Sequence, residues 1–506
     1  MTLIPIPESL ETRSGNLPLS GETWIVAADP ALRPLAKLLA HEIAVLARVK
    51  PPVTEGAARP GDIVLSLDPT LAGEEYALEV TDQARVRGGN PRAVAWGTVT
   101  LLQSLQGGVK VPAVLPAMSV TDRPALGYRG LMVDLARQWH PIESVRMLVA
   151  LCRWYKINTL HLHLTDDQSF TFPSRAYPHL ATPERHYTRE QLEDLEAYAQ
   201  AGGVTLLPEL DVPGHSRALL TALPDLVGCA EGDTGSDIDH TKLSSGELIA
   251  RGINKDLCPG RESTYAVLET LIGEMCEVFR ATPHFHLGAD ESERHAWKSC
   301  PHCRARMAAE GLANEEELYR YFLIRVNEIV KKCGKQTIVW EGFGPGGTLK
   351  VPTDVAVMVF ESDYHLAPDL LAAGYPVINT SWQPLYVVGP GLCWPPAAIY
   401  RWNPWRWETP WERSPAYREP IQIAPTPAMW GAQLCSWGQQ DPEELPSLRE
   451  RLAAMSERVW APDRADVGDF VARLEATDLK LSRFLYSAWP VTQWPFWIHR
   501  PVERAE

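Results

Sequence analysis

Between residues 128 and 434 this chain repeats one pattern eight times: a short apolar run, then a segment with helical periodicity. The runs cover 128–133, 159–164, 204–207, 284–287, 337–340, 355–360, 376–379 and 431–434. Strands alternating with helices build parallel sheets, and eight such units are what a closed (β/α)8 TIM barrel requires. An open doubly wound sheet is the rival, but it usually places a glycine-rich phosphate loop after its first strand. None comes after residue 133. The barrel is expected over 123–465. Ahead of it, 1–122 mixes alternating runs at 23–27 and 62–66 with helix-like stretches at 35–47 and 93–105, which reads as a small α+β domain. Pro112, Pro116 and Pro124 punctuate the linker. After the barrel, 466–506 reads as a helix near 470–486 and a Trp-rich tail.

The residues just beyond each run narrow the chemistry. Asp134 and Arg137 come after the first; Asp166 and Asp167 after the second; Glu209, Asp211 and His215 after the third. Asp290 and Glu291 come after the fourth, Trp340 and Glu341 the fifth, Glu361 and Asp363 the sixth, Trp382 and Tyr386 the seventh, and Trp437 the eighth. Such side chains collect at the carboxyl rim, where barrel active sites lie. The block His284-Phe285-His286-Leu287-Gly288-Ala289-Asp290-Glu291 is the most pointed case, because neighbouring acids share one site only where a strand ends and the backbone turns. Carboxylates held close repel when both ionise, so one keeps a proton, and Glu291 is the candidate acid. The plainer reading is that both residues cap the next helix.

A net charge of -15 argues against a nucleic-acid partner. No run approaches the ~20 apolar residues of a membrane span. The first residues lack a basic leader and a long apolar core, and nine cysteines is an odd number, so reduced thiols in the cytoplasm are expected. Cys300-Pro301-His302-Cys303 has metal-ligand spacing, with Cys258 and His295 as candidates to complete a site. Without a second such pair, plain loop cysteines are the simpler reading, and neither metal nor organic cofactor is expected. Eighteen tryptophans suit either sugar stacking or extra core. Trp382, Trp394, Trp402, Trp405, Trp407 and Trp411, with Tyr386 and Tyr400, concentrate in an insertion around 382–425. They are expected to wall the pocket, a homodimer contact being their other use.

Several separated blocks together resemble glycoside hydrolase family 20, the β-N-acetylhexosaminidases. They are Arg129-Gly130 with Asp134 and Arg137; Lys156-Ile157-Asn158; His161 to Phe170, containing Thr165-Asp166-Asp167; Pro208-Glu209-Leu210-Asp211 through His215; and His286 to Glu291. Gly431-Ala432-Gln433, Trp437 and Ser456-Glu457-Arg458-Val459-Trp460 match more weakly, and the small leading domain is also similar. The resemblance implies an exo-acting enzyme that removes terminal β-linked N-acetylglucosamine or N-acetylgalactosamine from an oligosaccharide or glycoconjugate. It further implies substrate assistance, in which the sugar's 2-acetamido oxygen attacks the anomeric carbon and water opens the resulting oxazolinium.

By motif position Glu291 would be the acid/base and Asp290 the acetamido partner. Arg137, with Asp166 nearby, would hold ring hydroxyls, and His215 would support the acid. Trp340 and Trp437 would wall the acetamido methyl, and Tyr386 would hydrogen-bond its oxygen. The family commonly has acids where this chain has Val388 and Gln439, and a third cage tryptophan is not evident near Phe360. Glu408 or Glu412 is expected to supply an acid from the insertion. A silent carbohydrate-binding barrel, or a glycosidase with its own nucleophile, are the other readings.

Overall fold

The computed structural model describes residues 2–108, 111–229, 239–389, 392–464 and 466–486. All eight expected barrel strands form: Tyr128–Asp134, Thr159–His163, Thr205–Glu209, His284–His286, Gln336–Trp340, Ala356–Val359, Val377–Asn379 and Met429–Trp437. Each pairs in parallel with the next, and the seventh pairs with the eighth, which pairs with the first, so the sheet closes. Every residue of the first three strands is buried. This is why they read as unbroken apolar runs, since a strand between a packed interior and a ring of helices meets no water on either face.

The interior is a separate cluster from the helix-packed shell. Tyr128, Met132, Leu207, Ile338, Ala356, Met358 and Ile378 fill it, and Trp340, Phe360 and Tyr386 continue it towards the carboxyl rim. The apolar core therefore runs into the floor of the mouth without a break.

The leading residues fold as a seven-stranded mixed sheet with helices Arg33–Ala47 and Pro91–Ser104. Asn90 caps the second helix by accepting a hydrogen bond from Ala93 N, and Pro91 sits at its first position. This unit is tied to the barrel by buried charge. Arg153, on barrel helix Ile142–Trp154, donates to both oxygens of Glu42 at 2.6 and 2.8 Å. Lys156 donates to Asp122 at 3.0 Å and to the Tyr76 hydroxyl at 2.8 Å.

A helix over Asp441–Trp460 closes the barrel, and Asp441, Glu443 and Glu444 supply its acidic first turn. A final helix spans Val467–Leu485. The Trp-rich tail lies outside the described residues. No helix among the described residues is long and apolar enough to cross a membrane.

Candidate active site

At the carboxyl mouth, the acids and histidines of strands two to four form one hydrogen-bonded chain. His163 lies between Glu209 (Nδ1, 2.6 Å) and Asp166 (Nε2, 2.9 Å). His215 lies between Asp166 (Nδ1, 3.3 Å) and Glu291 (Nε2, 3.3 Å). The order is Glu209, His163, Asp166, His215, Glu291, running from the barrel interior to the pocket. Both ring nitrogens of each histidine face carboxylates, so both are asked to donate. Burial opposes charging either ring, but Glu209 and Asp166 hold His163 well above the usual range, and Asp166 and Asp211 do the same for His215. Burial alone would raise the Glu209 carboxyl; His163, His286 and His161 keep it well below. Trp340 Nε1 donates to Glu209 at 2.8 Å. The charged chain and the aromatic floor thus share that carboxylate.

The turn that presents the acid pair depends on glycine. Gly288, Ala289 and Glu291 all have positive φ, at 65°, 69° and 39°. A Cβ on Gly288 would stand 1.8 Å from Asp211 Oδ1, so only glycine allows Asp211 to pack beneath the turn. Asp290 is 8% exposed, whereas the Glu291 side chain keeps 44% of its surface open to the mouth.

Here the structure departs from the expectation that Glu291 keeps the proton. Hydrogen bonding with His215 holds Glu291 down at about 2, while burial pushes Asp290 up to about 6. Burial, and then the charge of Asp290, push Asp211 well above the carboxylate range. Of the two, the buried acid is thus the more readily protonated, because the exposed partner has an imidazolium neighbour. Asp290 Oδ1 and Asp211 Oδ1 have no hydrogen-bond partner among the described residues.

Arg137 is part of the same wall. Its guanidinium donates to Asp134 at 3.1 Å and pairs with Asp166 at 2.7 Å, and lies over the Trp437 ring at 4.7 Å. Asp134 also accepts from Gly438 N at 3.1 Å, which fixes the loop after the eighth strand.

Across the mouth the lining is aromatic. Trp437 and Trp340 have ring centroids 5.9 Å apart, Trp437 and Tyr386 6.4 Å, and Phe360 stacks on Tyr386 at 6.3 Å. Trp382 stacks on Tyr386 at 4.2 Å and meets Trp411 edge-on. Trp382 and Phe360 therefore complete the cage in which the sequence showed no third tryptophan. Burial pushes the Tyr386 hydroxyl well above its usual range, so it stays a donor.

The insertion contributes less of this wall than expected. Trp402 and Trp407 are buried, with Nε1 atoms donating to Arg406 O and Val359 O, and Tyr400 donates to Glu457. Neither of the insertion acids is hydrogen-bonded to the acid pair or to the aromatic cage among the described residues. Glu408 pairs with Arg406 at 2.7 Å, and Glu412 is exposed. Val388 sits in register with Trp437 on a short strand, Tyr386–Val388, added beside the eighth. The Gln439 side chain is buried, and its Nε2 has no partner among the described residues.

Reading the sequence missed the interior histidines as a unit, although His161 and His163 at alternate positions of an apolar strand point inward together. It also missed Lys255, which is buried with Asp167, Glu291 and Asp256 as its electrostatic neighbours. Glu361, expected at the rim, pairs with Arg413 of the insertion.

Two family models match the chain. The model "Glycosyl hydrolase family 20, catalytic domain" covers residues 126–463, and "Glycosyl hydrolase family 20, domain 2" covers 1–123. A β-hexosaminidase of Porphyromonas gingivalis is 27% identical over 95% of this chain and 63% of its own length. A β-hexosaminidase of Vibrio furnissii is 29% identical over 80% of this chain and 69% of its own. The chain thus spans under two thirds of the first of these relatives. Among solved structures, the exo β-N-acetylglucosaminidase of Vibrio harveyi, bound to N-acetylglucosamine, superposes with a TM-score of 0.80 at 24% identity, covering 96% of this chain and 77% of that one. The chain belongs to glycosyl hydrolase family 20.

Proposed function

We propose that this family 20 chain is an exo-acting β-N-acetylhexosaminidase, cleaving a terminal β-linked N-acetylglucosamine or N-acetylgalactosamine from an oligosaccharide or glycoconjugate with retention. The observation that carries the reading is the Asp290–Glu291 pair, turned into a mouth whose opposite side is the Trp340, Tyr386 and Trp437 cage. The relatives' names as β-hexosaminidases support it.

In this reading the 2-acetamido oxygen attacks C1 and the C1–O bond to the leaving group breaks, with Glu291 giving its proton to the departing oxygen. Asp290 accepts the acetamido N–H and stabilises the positive charge that develops on nitrogen. Tyr386 donates to the attacking oxygen, and the aromatic cage holds the methyl and excludes water. Glu291 then takes a proton from water as that water adds to C1, reopening the ring.

The Asp290 preference for the proton fits this sequence of steps. A substrate N–H needs an ionised acceptor, so binding favours the ionised form of Asp290 and leaves Glu291 as the member of the pair that carries the proton to the leaving group. Arg137, held by Asp134 and Asp166, has a guanidinium edge for ring hydroxyls. None of the nine cysteines is joined in a disulfide, which supports a reducing compartment such as the cytoplasm as the working environment.

Release of aryl alcohol from an aryl N-acetylglucosaminide tests the reading. Turnover abolished by Asp290→Asn, and inhibition by a thiazoline mimic of the cyclic intermediate, are expected. Equal turnover of the matching glucoside would overturn it.

A further inference from the structure

Four cysteines far apart in sequence meet beneath the loops that carry the acid pair. Cys229, Cys258, Cys300 and Cys303 place their sulfurs within 4.8 Å of one another. Cys258 Sγ stands 3.6 Å from Cys300 Sγ and 3.5 Å from Cys303 Sγ. A disulfide needs about 2.0 Å, and one sulfur cannot bond two partners at once. Four thiolates around zinc at about 2.3 Å would stand roughly 3.8 Å apart, close to the spacing found. Cys258, Cys300 and Cys303 are fully buried, and Cys229 is partly so. His295, the histidine expected from sequence, is exposed and directed at Glu293, so Cys229 takes the place it was expected to fill.

The backbone around the cluster is shaped to bring these sulfurs together. Cys300 is the N-cap of helix Pro301–Glu310 and Cys303 lies in its first turn, where backbone N–H groups favour thiolate. Cys258 N donates to Val227 O at 2.8 Å, laying the Cys258 loop beside the helix that ends just before Cys229. A Cβ on Gly260 would come within 2.4 Å of Cys303 N, so only glycine lets that loop rest on the Cys-x-x-Cys turn.

From these four sulfurs we infer that the chain carries a structural tetrathiolate zinc site, which fastens the loop after Glu291 to the loop after His215. Zinc loading converts four thiols to four thiolates and releases four protons to solvent, with no change of oxidation state. Sulfur-only tetrahedral ligation suits zinc, and a closed shell of four protein ligands leaves no position for catalysis.

The fastening is direct. Leu257 N donates to Pro213 O at 2.9 Å, and Ser216 N to Lys255 O at 3.0 Å, on either side of His215. Asp256 accepts from Arg294 N at 2.6 Å and from Ser292 Oγ at 3.1 Å, immediately after Glu291. Trp297 Nε1 donates to Leu257 O at 2.9 Å. The zinc is therefore a positioning element for the Glu291–His215 contact.

Metal analysis of the full chain, purified without a polyhistidine tag under reducing conditions and dialysed against metal-free buffer, tests this. The expected result is one zinc per chain, released in step with four thiols when a mercurial reagent titrates the native protein. Cobalt-substituted protein is expected to show the intense thiolate charge-transfer and visible bands of a tetrahedral tetrathiolate. Cys258→Ser combined with Cys303→Ser is expected to lose the zinc; if that variant does not fold, the wild-type metal content and cobalt spectrum decide the matter. A chain without bound metal, whether its four thiols react freely or are paired as disulfides, would overturn the site, and stoichiometric iron would overturn zinc as its occupant. Loss of turnover on zinc removal rests on the hydrolase reading, but the metal content does not, so the two fail separately.

Discussion

The two sides of the barrel mouth are built on different principles. The side from strands two to four is a continuous line of charge from Glu209 to Glu291, each histidine held by two carboxylates. The side from strands five to eight is a stack of rings with few charges, and its polar atoms at Trp382 Nε1, Trp437 Nε1 and Gln439 Nε2 have no partners among the described residues. The first arrangement governs protonation; in the proposed function the second sets the shape a sugar must have and offers polar atoms to it. Two buried groups show the contrast. At Glu209, on the charged side, burial is offset by three neighbouring histidines, so it stays ionised. On the aromatic side it is not, and burial pushes Glu341 well above the carboxylate range.

If that division is right, damage to the two sides will look different. Glu291→Gln removes the transferable proton, so kcat on substrates with poor leaving groups is expected to fall by about 10²–10⁴-fold, with far less loss on activated aryl leaving groups. Comparing the two substrate classes in steady-state kinetics checks it. Trp437→Ala strips apolar surface from the cage and from beneath Arg137; the expected loss in kcat/KM is about 10–100-fold on both substrate classes, equivalent to roughly 1.5–3 kcal/mol.

Asp290→Asn tests the charged side by stability. Its folded pKa of about 6 lies above the usual 3.8, so the folded state binds the extra proton between these values and the wild type loses stability as pH rises through that window. Asparagine removes the cost, and the variant is expected to be more stable at pH 7 by on the order of 1–2 kcal/mol, with the gain gone below about pH 4. Denaturant melts at both pH values read this out. The smallest effect is expected from Gln439→Glu, which restores an acid at a position where the family commonly has one. A rise in kcat/KM of about fivefold on an unsubstituted sugar, and a fall on its 6-sulfated form, correspond to roughly 1 kcal/mol for a charge-assisted hydrogen bond.

The same division governs what could be read from sequence. The barrel was legible because strands buried on both faces must be apolar and the acids at their ends stand out against them. The pair Asp290 and Glu291 was legible for that reason, but which of them is the more readily protonated was not. That depends on His215 reaching Glu291 across 76 positions of chain and on the exposure of one carboxylate relative to the other. The aromatic side was read less well. Trp402 and Trp407 share a composition with Trp382 and Trp411, and only packing separates those that face the cage from those that fill the core. Cys229 was invisible as a partner of the Cys300–Cys303 pair because nothing in its local sequence marks it.

Substrate assistance makes the sugar's own acetamido oxygen the nucleophile. Its most direct test is kcat/KM across aryl glucosaminides bearing N-acetyl, N-fluoroacetyl, N-difluoroacetyl and N-trifluoroacetyl groups, which differ little in size but progressively weaken that oxygen. The prediction is a steep monotonic fall along the series; a flat profile would contradict it and point to a nucleophile supplied by the protein.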